Sequence, residues 1–169
     1  MNIFTFTGWS GSGKTTLISK LIRELSRRGW EVMAIKKVPD KFNLEPEGKD
    51  SRIFLEHGAQ IVYLVAGKQL MKMSSIKKPE DIFETENKVM DKHDFVLIEG
   101  EISSDSYMFE IFDPEISETP KTERNLLSAI ISDISISGNL KHFKRNDIAD
   151  IADFMESLNK SKGRINEKL

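Results

Sequence analysis

The chain has 169 residues, 31% of them charged, with a net charge of −2 at pH 7 and no cysteine. That length suits a single domain able to bury roughly 70% of its unfolded surface, and the lack of cysteine excludes disulfides and thiolate metal sites. Mixed-sign charge argues against a broad basic face for nucleic acid. No apolar run approaches the ~18 residues of a membrane span, so the expectation is a cytoplasmic protein that uses neither nucleic acid nor membrane.

In chain order, residues 2–7 alternate apolar and polar side chains at strand period, and their immediate start leaves no room for a signal peptide. Next comes Gly8-Trp9-Ser10-Gly11-Ser12-Gly13-Lys14-Thr15, continuing into Thr16, which fits the phosphate-loop pattern G-x-x-x-x-G-K-[ST] at every fixed position. Leu17, Ile18, Leu21, Ile22 and Leu25 then recur at helical spacing up to a stop at Arg27-Arg28-Gly29.

Strand, glycine loop and helix is what phosphate binding requires. Glycine lets the backbone approach an anion closely, successive N–H groups make a concave site, and the helix start adds the positive end of its dipole. Lys14 supplies a charge for the β- and γ-phosphates, Thr15 a hydroxyl for Mg²⁺, and Thr16 a hydrogen bond for the α-phosphate. Trp9 either packs on a neighbour or shields the nucleotide. The loop predicts a nucleoside triphosphate ligand.

Residues 31–37 read as a second strand, ending in Lys36 and Lys37, whose charges either reach the triphosphate or are solvated. Residues 38–48 read as an exposed loop. A helix is expected from Asp50 to His57, with Gly58 as its stop. Asp50 either caps that helix or faces the γ-phosphate and holds a Mg²⁺-bound water. Residues 60–66 read as a buried strand and 69–76 as another; Pro79 opens a helix reaching Met90.

Residues 94–100 form a continuous apolar run ending in Glu99, the pattern of a Walker B strand, which delivers a carboxylate to hold Mg²⁺ or polarise water. Residues 107–112 and 127–132 supply further strands, the first also a candidate contributor to a dimer contact. Asn87-Lys88-Val89-Met90-Asp91 misses the guanine-reading spacing N-K-x-D by one residue, so Ser132 and Asp133, at a buried strand's carboxyl end, are the candidate base contacts. His57, His93 and His142 show no metal spacing. Asn146 or Asp147 caps a last helix carrying Ile148, Ile151, Phe154, Met155 and Leu158. The expectation is an α/β three-layer P-loop NTPase fold with a mainly parallel central sheet, one nucleotide-binding domain over residues 1–158 and a polar, mostly basic tail over 159–169.

These residues resemble the molybdopterin-guanine dinucleotide biosynthesis protein B family of P-loop GTP-binding proteins. Residues 8–18 are similar to its phosphate loop, Gly48-Lys49-Asp50-Ser51 with Phe54 to Ala59 to its third block, residues 94–100 to its Walker B strand, and 129–133 to its late strand near the base. The resemblance implies Mg²⁺-dependent GTP binding with slow hydrolysis, homodimerisation, and assistance to the molybdenum cofactor guanylyltransferase, with molybdopterin a further candidate ligand. It favours the catalytic role for Asp50. The chain departs from the family pattern at Lys37, Pro39, Lys41 and Phe42-Asn43, where histidines and a phenylalanine-aspartate pair are usual. It departs again at Glu101-Ile102, where phenylalanine-lysine is usual. The competing function is a small-molecule kinase passing the γ-phosphate of ATP to a hydroxyl, which requires a cluster of lid arginines that the scattered arginines here do not suggest.

Overall fold

The computed structural model describes residues 2–38, 50–102 and 104–166, leaving aside the side chains of residues 50, 51 and 160–166. The chain divides into two compact units, Met1–Lys37 with Glu86–Leu169, and Val38–Thr85.

The larger unit is built on a six-stranded parallel sheet in the order β2-β5-β1-β6-β7-β8. Its strands are β1 (Asn2–Thr7), β2 (Val32–Lys36), β5 (Phe95–Glu99), β6 (Tyr107–Ile111), β7 (Ala129–Ile131) and β8 (Lys141–Phe143). This is the mainly parallel α/β sheet expected from the alternation of strands and helices. β1 sits in the middle, with Phe4 paired to Leu97 of β5 and to Tyr107 of β6. Because it has neighbours on both edges and cover on both faces, even its polar residues Asn2, Thr5 and Thr7 are buried.

One face of the sheet carries Phe4, Phe6, Phe95, Leu97, Phe109 and Ile131 against helices α1 (Lys14–Arg27) and α5 (Ile148–Asn166). Leu17, Ile18, Leu21 and Leu25 of α1 fall on that side because their spacing follows the helical period. Each such side chain, fully buried, stabilises the fold by about 1.5–3 kcal/mol. Gly29, at φ +91°, ends α1, and the Trp30 N–H donates to the Leu25 carbonyl in the returning turn. The other face is partly polar. Thr5 meets the Ser106 hydroxyl at 2.8 Å, and Thr7 donates to Glu101 at 3.0 Å.

The smaller unit holds α2 (Asp50–Glu56) and an antiparallel hairpin, β3 (Ile61–Ala66) and β4 (Gln69–Ser74). This corrects the expectation of a buried strand at 60–66. β3 pairs with β4 rather than entering the parallel sheet, and Ile61, Tyr63 and Val65 stay exposed while Val62 is buried. The expected helix from Pro79 to Met90 is also broken up. A 3₁₀ turn (Pro79–Asp81) leads into α3 (Ile82–Thr85), Glu86 departs from helical geometry at φ −112°, ψ 13°, and α4 (Asn87–Met90) starts afresh. β8, three residues long, has no counterpart in the sequence reading. α5 continues through Asn166, so the expected tail begins inside a helix. The loop at 38–48 lies almost wholly outside the described residues. Among the described residues, no helix is long and apolar enough to cross a membrane.

Candidate nucleotide site

The glycine loop joins the carboxyl end of β1 to α1, so its geometry is fixed by two buried elements. Gly8 has φ +134°, and a Cβ there would meet the Ile111 carbonyl oxygen at 2.4 Å. Gly11 and Gly13 sit at φ +83° and +90°. Gly13 is the residue before α1, and no side chain caps the helix. The first turn also lacks the acidic residue that usually complements a helix start. Leu17 N–H returns to the Gly13 carbonyl, so the N–H groups of the first turn of α1 before it have no partner within the helix. An uncapped, positive helix start inside a glycine loop is an arrangement that suits an anion.

Lys14 folds back over this loop, its Nζ donating to the Gly8 carbonyl at 2.8 Å and the Trp9 carbonyl at 2.7 Å. Burial holds its ammonium below the usual lysine range; Glu99 opposes the shift, while Lys121 and Lys36 add to it. Trp9 packs outward, its indole N–H donating to the Thr119 carbonyl at 3.3 Å. Ser10 is exposed and Ser12 buried within the loop.

Glu99, at the end of β5, accepts the Thr15 hydroxyl at 2.7 Å. Lys36 Nζ lies 3.1 Å from the same carboxylate oxygen and donates to Thr15 Oγ1 at 3.2 Å. A hydroxyl and a carboxylate bridged by a cationic group are the hard oxygen donors that suit Mg²⁺. Of the three residues expected to share a metal, Thr15 and Glu99 stand together, while the side chain of Asp50 lies outside the described atoms. Lys36, for which reaching the triphosphate and solvation were the alternatives, is half-exposed and touches both Thr15 and Glu99.

Beyond Thr16 lies a cavity of about 300 Å³ whose lining includes Gly13, Lys20, Asp133, Arg145 and Asn146. Asp133 accepts the Arg145 N–H at 3.1 Å, Arg145 pairs with Asp113 at 2.8 Å, and Lys20 donates to Asn146 at 3.1 Å. Ser132, one residue before Asp133 and just past the end of β7, is buried and does not join this lining. Gly48 and Lys49 lie outside the described residues. Asp50 opens α2 in the smaller unit, with only its backbone described. Each histidine has a ring nitrogen near a backbone carbonyl, at 2.8 Å for His57 and His93 and 2.9 Å for His142.

The sequence reading missed Lys20 and Arg145, and treated Asn146 only as a cap. Nothing in their local spacing marks them. Lys20 stands one helical turn after Thr16 on α1, and the fold brings Arg145 and Asn146 beside them by packing the β8–α5 junction next to α1.

The family model for molybdopterin guanine dinucleotide synthesis protein B matches residues 3–133. A molybdopterin-guanine dinucleotide biosynthesis adapter protein of Escherichia coli (strain K12) is 27% identical over 159 residues, covering 90% of each chain. One of Haemophilus influenzae (strain ATCC 51907 / DSM 11121 / KW20 / Rd) is 38% identical over 95 residues, 56% of this chain and 53% of its own. Among solved structures, a molybdopterin-guanine biosynthesis protein B aligns with a TM-score of 0.67 at 26% identity, covering 94% of this chain and 99% of its own. Bacillus subtilis MobB aligns with a TM-score of 0.70 at 22% identity, covering 93% and 97%, and supports the fold.

Proposed function

The chain belongs to the molybdopterin guanine dinucleotide synthesis protein B family, and from that premise we propose that it is a cytoplasmic, GTP-binding adapter in molybdopterin guanine dinucleotide formation. In this reading it is a slow Mg²⁺-dependent GTPase, acts as a homodimer, and assists the guanylyltransferase that attaches the guanine nucleotide to molybdopterin. The observation that carries the nucleotide part is the uncapped start of α1 inside the glycine loop.

Mg²⁺, when bound, would be held by the Thr15 hydroxyl and the Glu99 carboxylate, and would neutralise charge between the phosphates. Lys14 exchanges the Gly8 and Trp9 carbonyls for oxygens of the β- and γ-phosphates, and the first N–H groups of α1 cradle them. Glu99 orients the water for hydrolysis, with Asp50 the second candidate for that task. On the base side, the Asp133 carboxylate suits guanine, which offers N1–H and N2–H donors; adenine presents a lone pair at N1.

A thermal shift series with GTP and ATP, each with and without Mg²⁺, tests this on wild type, Lys14→Ala and Asp133→Ala. A ligand at ~100 times its Kd adds about 2.7 kcal/mol, or roughly 5–11 °C. The expected result is a GTP-selective, Mg²⁺-dependent shift that Lys14→Ala abolishes and Asp133→Ala makes unselective. A shift with ATP alone overturns the assignment and points to phosphate transfer onto a small-molecule acceptor.

A further inference from the structure

We propose that Lys121 is a further phosphate-binding residue of the nucleotide site, held ready by Glu101 and directed at the terminal phosphate of a triphosphate. The proposal rests on the nucleotide reading above. Lys121 lies in the connection between β6 and β7, more than 100 residues after the glycine loop, and no motif marks it.

Two observations seat that connection on the loop, and a third ties it to β6. The Trp9 indole donates to the Thr119 carbonyl at 3.3 Å. The Ile116 side chain lies 3.5 Å from where a Cβ on Gly11 would stand. The carboxylate of Glu110, fully buried on β6, accepts the backbone N–H groups of both Lys121 and Thr122. A buried carboxylate satisfied by these two N–H groups fixes the backbone at Lys121 firmly.

The side chain is aimed by a second set of contacts. Lys121 Nζ lies 2.7 Å from Glu101 Oε1, and the same oxygen accepts the hydroxyl of buried Thr7 at 3.0 Å. Thr122 Oγ1 donates to Thr7 Oγ1 at 3.3 Å. Thr7 ends β1, and the next residue, Gly8, is the one whose carbonyl holds Lys14 at 2.8 Å. Lys14 and Lys121 therefore converge on one strand end, with Lys36 on Thr15 beside them. The repulsion that Lys14 feels from Lys121 and Lys36 fits this crowding. Three ammonium groups faced by the two carboxylates Glu99 and Glu101 leave an excess of positive charge, which a polyanion would balance.

Sheet order says which phosphate. β5 flanks β1 on one side, and β6, β7 and β8 lie on the other. The cavity with Asp133 and Arg145 belongs to the β7–β8 side, whereas Glu101 follows β5. A nucleotide with its base in that cavity runs its phosphates across β1 toward β5. The Lys121 chain starts on the base side, yet its ammonium reaches the β5 side. Its pair with Glu101 is half-exposed and hence weak; a phosphate oxygen is a more highly charged acceptor and takes the lysine over.

Calorimetric titration of the full chain with the non-hydrolysable analogue GMPPNP and with GDP, both with Mg²⁺, tests this. Lys121→Met should weaken GMPPNP roughly tenfold and GDP by less than about threefold, while Lys121→Arg keeps most of the affinity. Glu101→Gln retains the acceptor for Thr7 but frees the lysine, and should tighten GMPPNP. Equal losses for GMPPNP and GDP, no loss in Lys121→Met, or a loss in Glu101→Gln as large as in Lys121→Met would overturn the proposal and leave nucleotide binding standing. If wild type binds neither nucleotide, the nucleotide reading falls and this one with it.

Discussion

Gly8 is the position where a single methyl group decides whether the phosphate loop can close. Its φ of +134° disfavours any L side chain, and its Cβ would overlap the Ile111 carbonyl and press on Ser12 Oγ at 3.0 Å. Gly13, at φ +90°, has no atom within 4 Å of the place a methyl would take. Backbone strain of this kind costs about 1–3 kcal/mol. Gly8→Ala should therefore lower Tm by roughly 5–10 °C once the overlap is added, and Gly13→Ala by only about half as much, with calorimetric melting of the nucleotide-free protein as the check. Equal losses would mean that strain alone matters. Residues of this sort are legible in a sequence because a backbone-built anion site can use only glycine at fixed offsets. Glu99 was legible for a related reason, as a carboxylate ending a strand too apolar to face water. Lys121 and Arg145 were not, since their contacts exist only where distant segments meet. Ser132 and Asp133 looked equivalent as neighbours, and the turn after β7 buries the first and leaves the second at the cavity.

Helix α1 presents its N-terminus to the ligand, and its other end is tied to α5. Arg28 donates to Glu24 at 2.8 Å, Asp153 at 2.5 Å, Glu156 at 2.9 Å and the Ala149 carbonyl at 3.2 Å. Hydrogen bonds from Arg27 and then Arg28 hold the Glu24 carboxyl down at about 2, against an ordinary value of 4.5. A folded-state value below the unfolded one gives stability that is fully present above pH ~4.5 and is lost as pH falls toward ~2. Glu24→Gln should flatten the dependence of Tm on pH across that window and change little of it above pH 5, as thermal melts in a pH series would register. A slope unchanged by the substitution would place the acid sensitivity elsewhere. At this scale the sequence was informative wherever an element is buried on both sides. β5 carries an apolar run because both its faces are covered, β1 keeps its strand alternation although all of it is buried, and the period of α1 matches its one apolar stripe. β3 was misread because a short apolar run says nothing of its neighbours: Ile61, Tyr63 and Val65 looked like core and lie on an exposed hairpin. β8, at three residues, is too short for any period to emerge.

The larger unit carries the glycine loop, and the smaller unit holds a hairpin that shows apolar side chains to solvent. Ile61, Tyr63 and Val65 share one face of β3 by strand alternation, and Val65 pairs directly with Leu70 of β4. Val65 and Leu70 are 74% and 66% exposed, which places the apolar surface at the hairpin's tip end rather than in its packed part. A monomer rarely leaves such a patch uncovered, and a second copy is the cover that the proposed homodimer supplies, since a two-fold axis brings the same patch from both chains together. Residues 107–112, a candidate contributor to the dimer contact in the sequence, offer less surface: β6 is interior to the sheet, bonded to β1 and β7, with Phe109, Glu110 and Ile111 buried. The double variant Val65→Asp, Leu70→Asp alters only exposed positions, so it should fold and bind nucleotide as wild type does. It should also sediment as a monomer at concentrations where wild type is a dimer, because four carboxylates would meet across the axis and would have to shed water to do so. A wild type that is monomeric throughout, or a variant that still dimerises, would remove the hairpin face from the assembly and leave the nucleotide unit to be judged by its own ligand-binding tests.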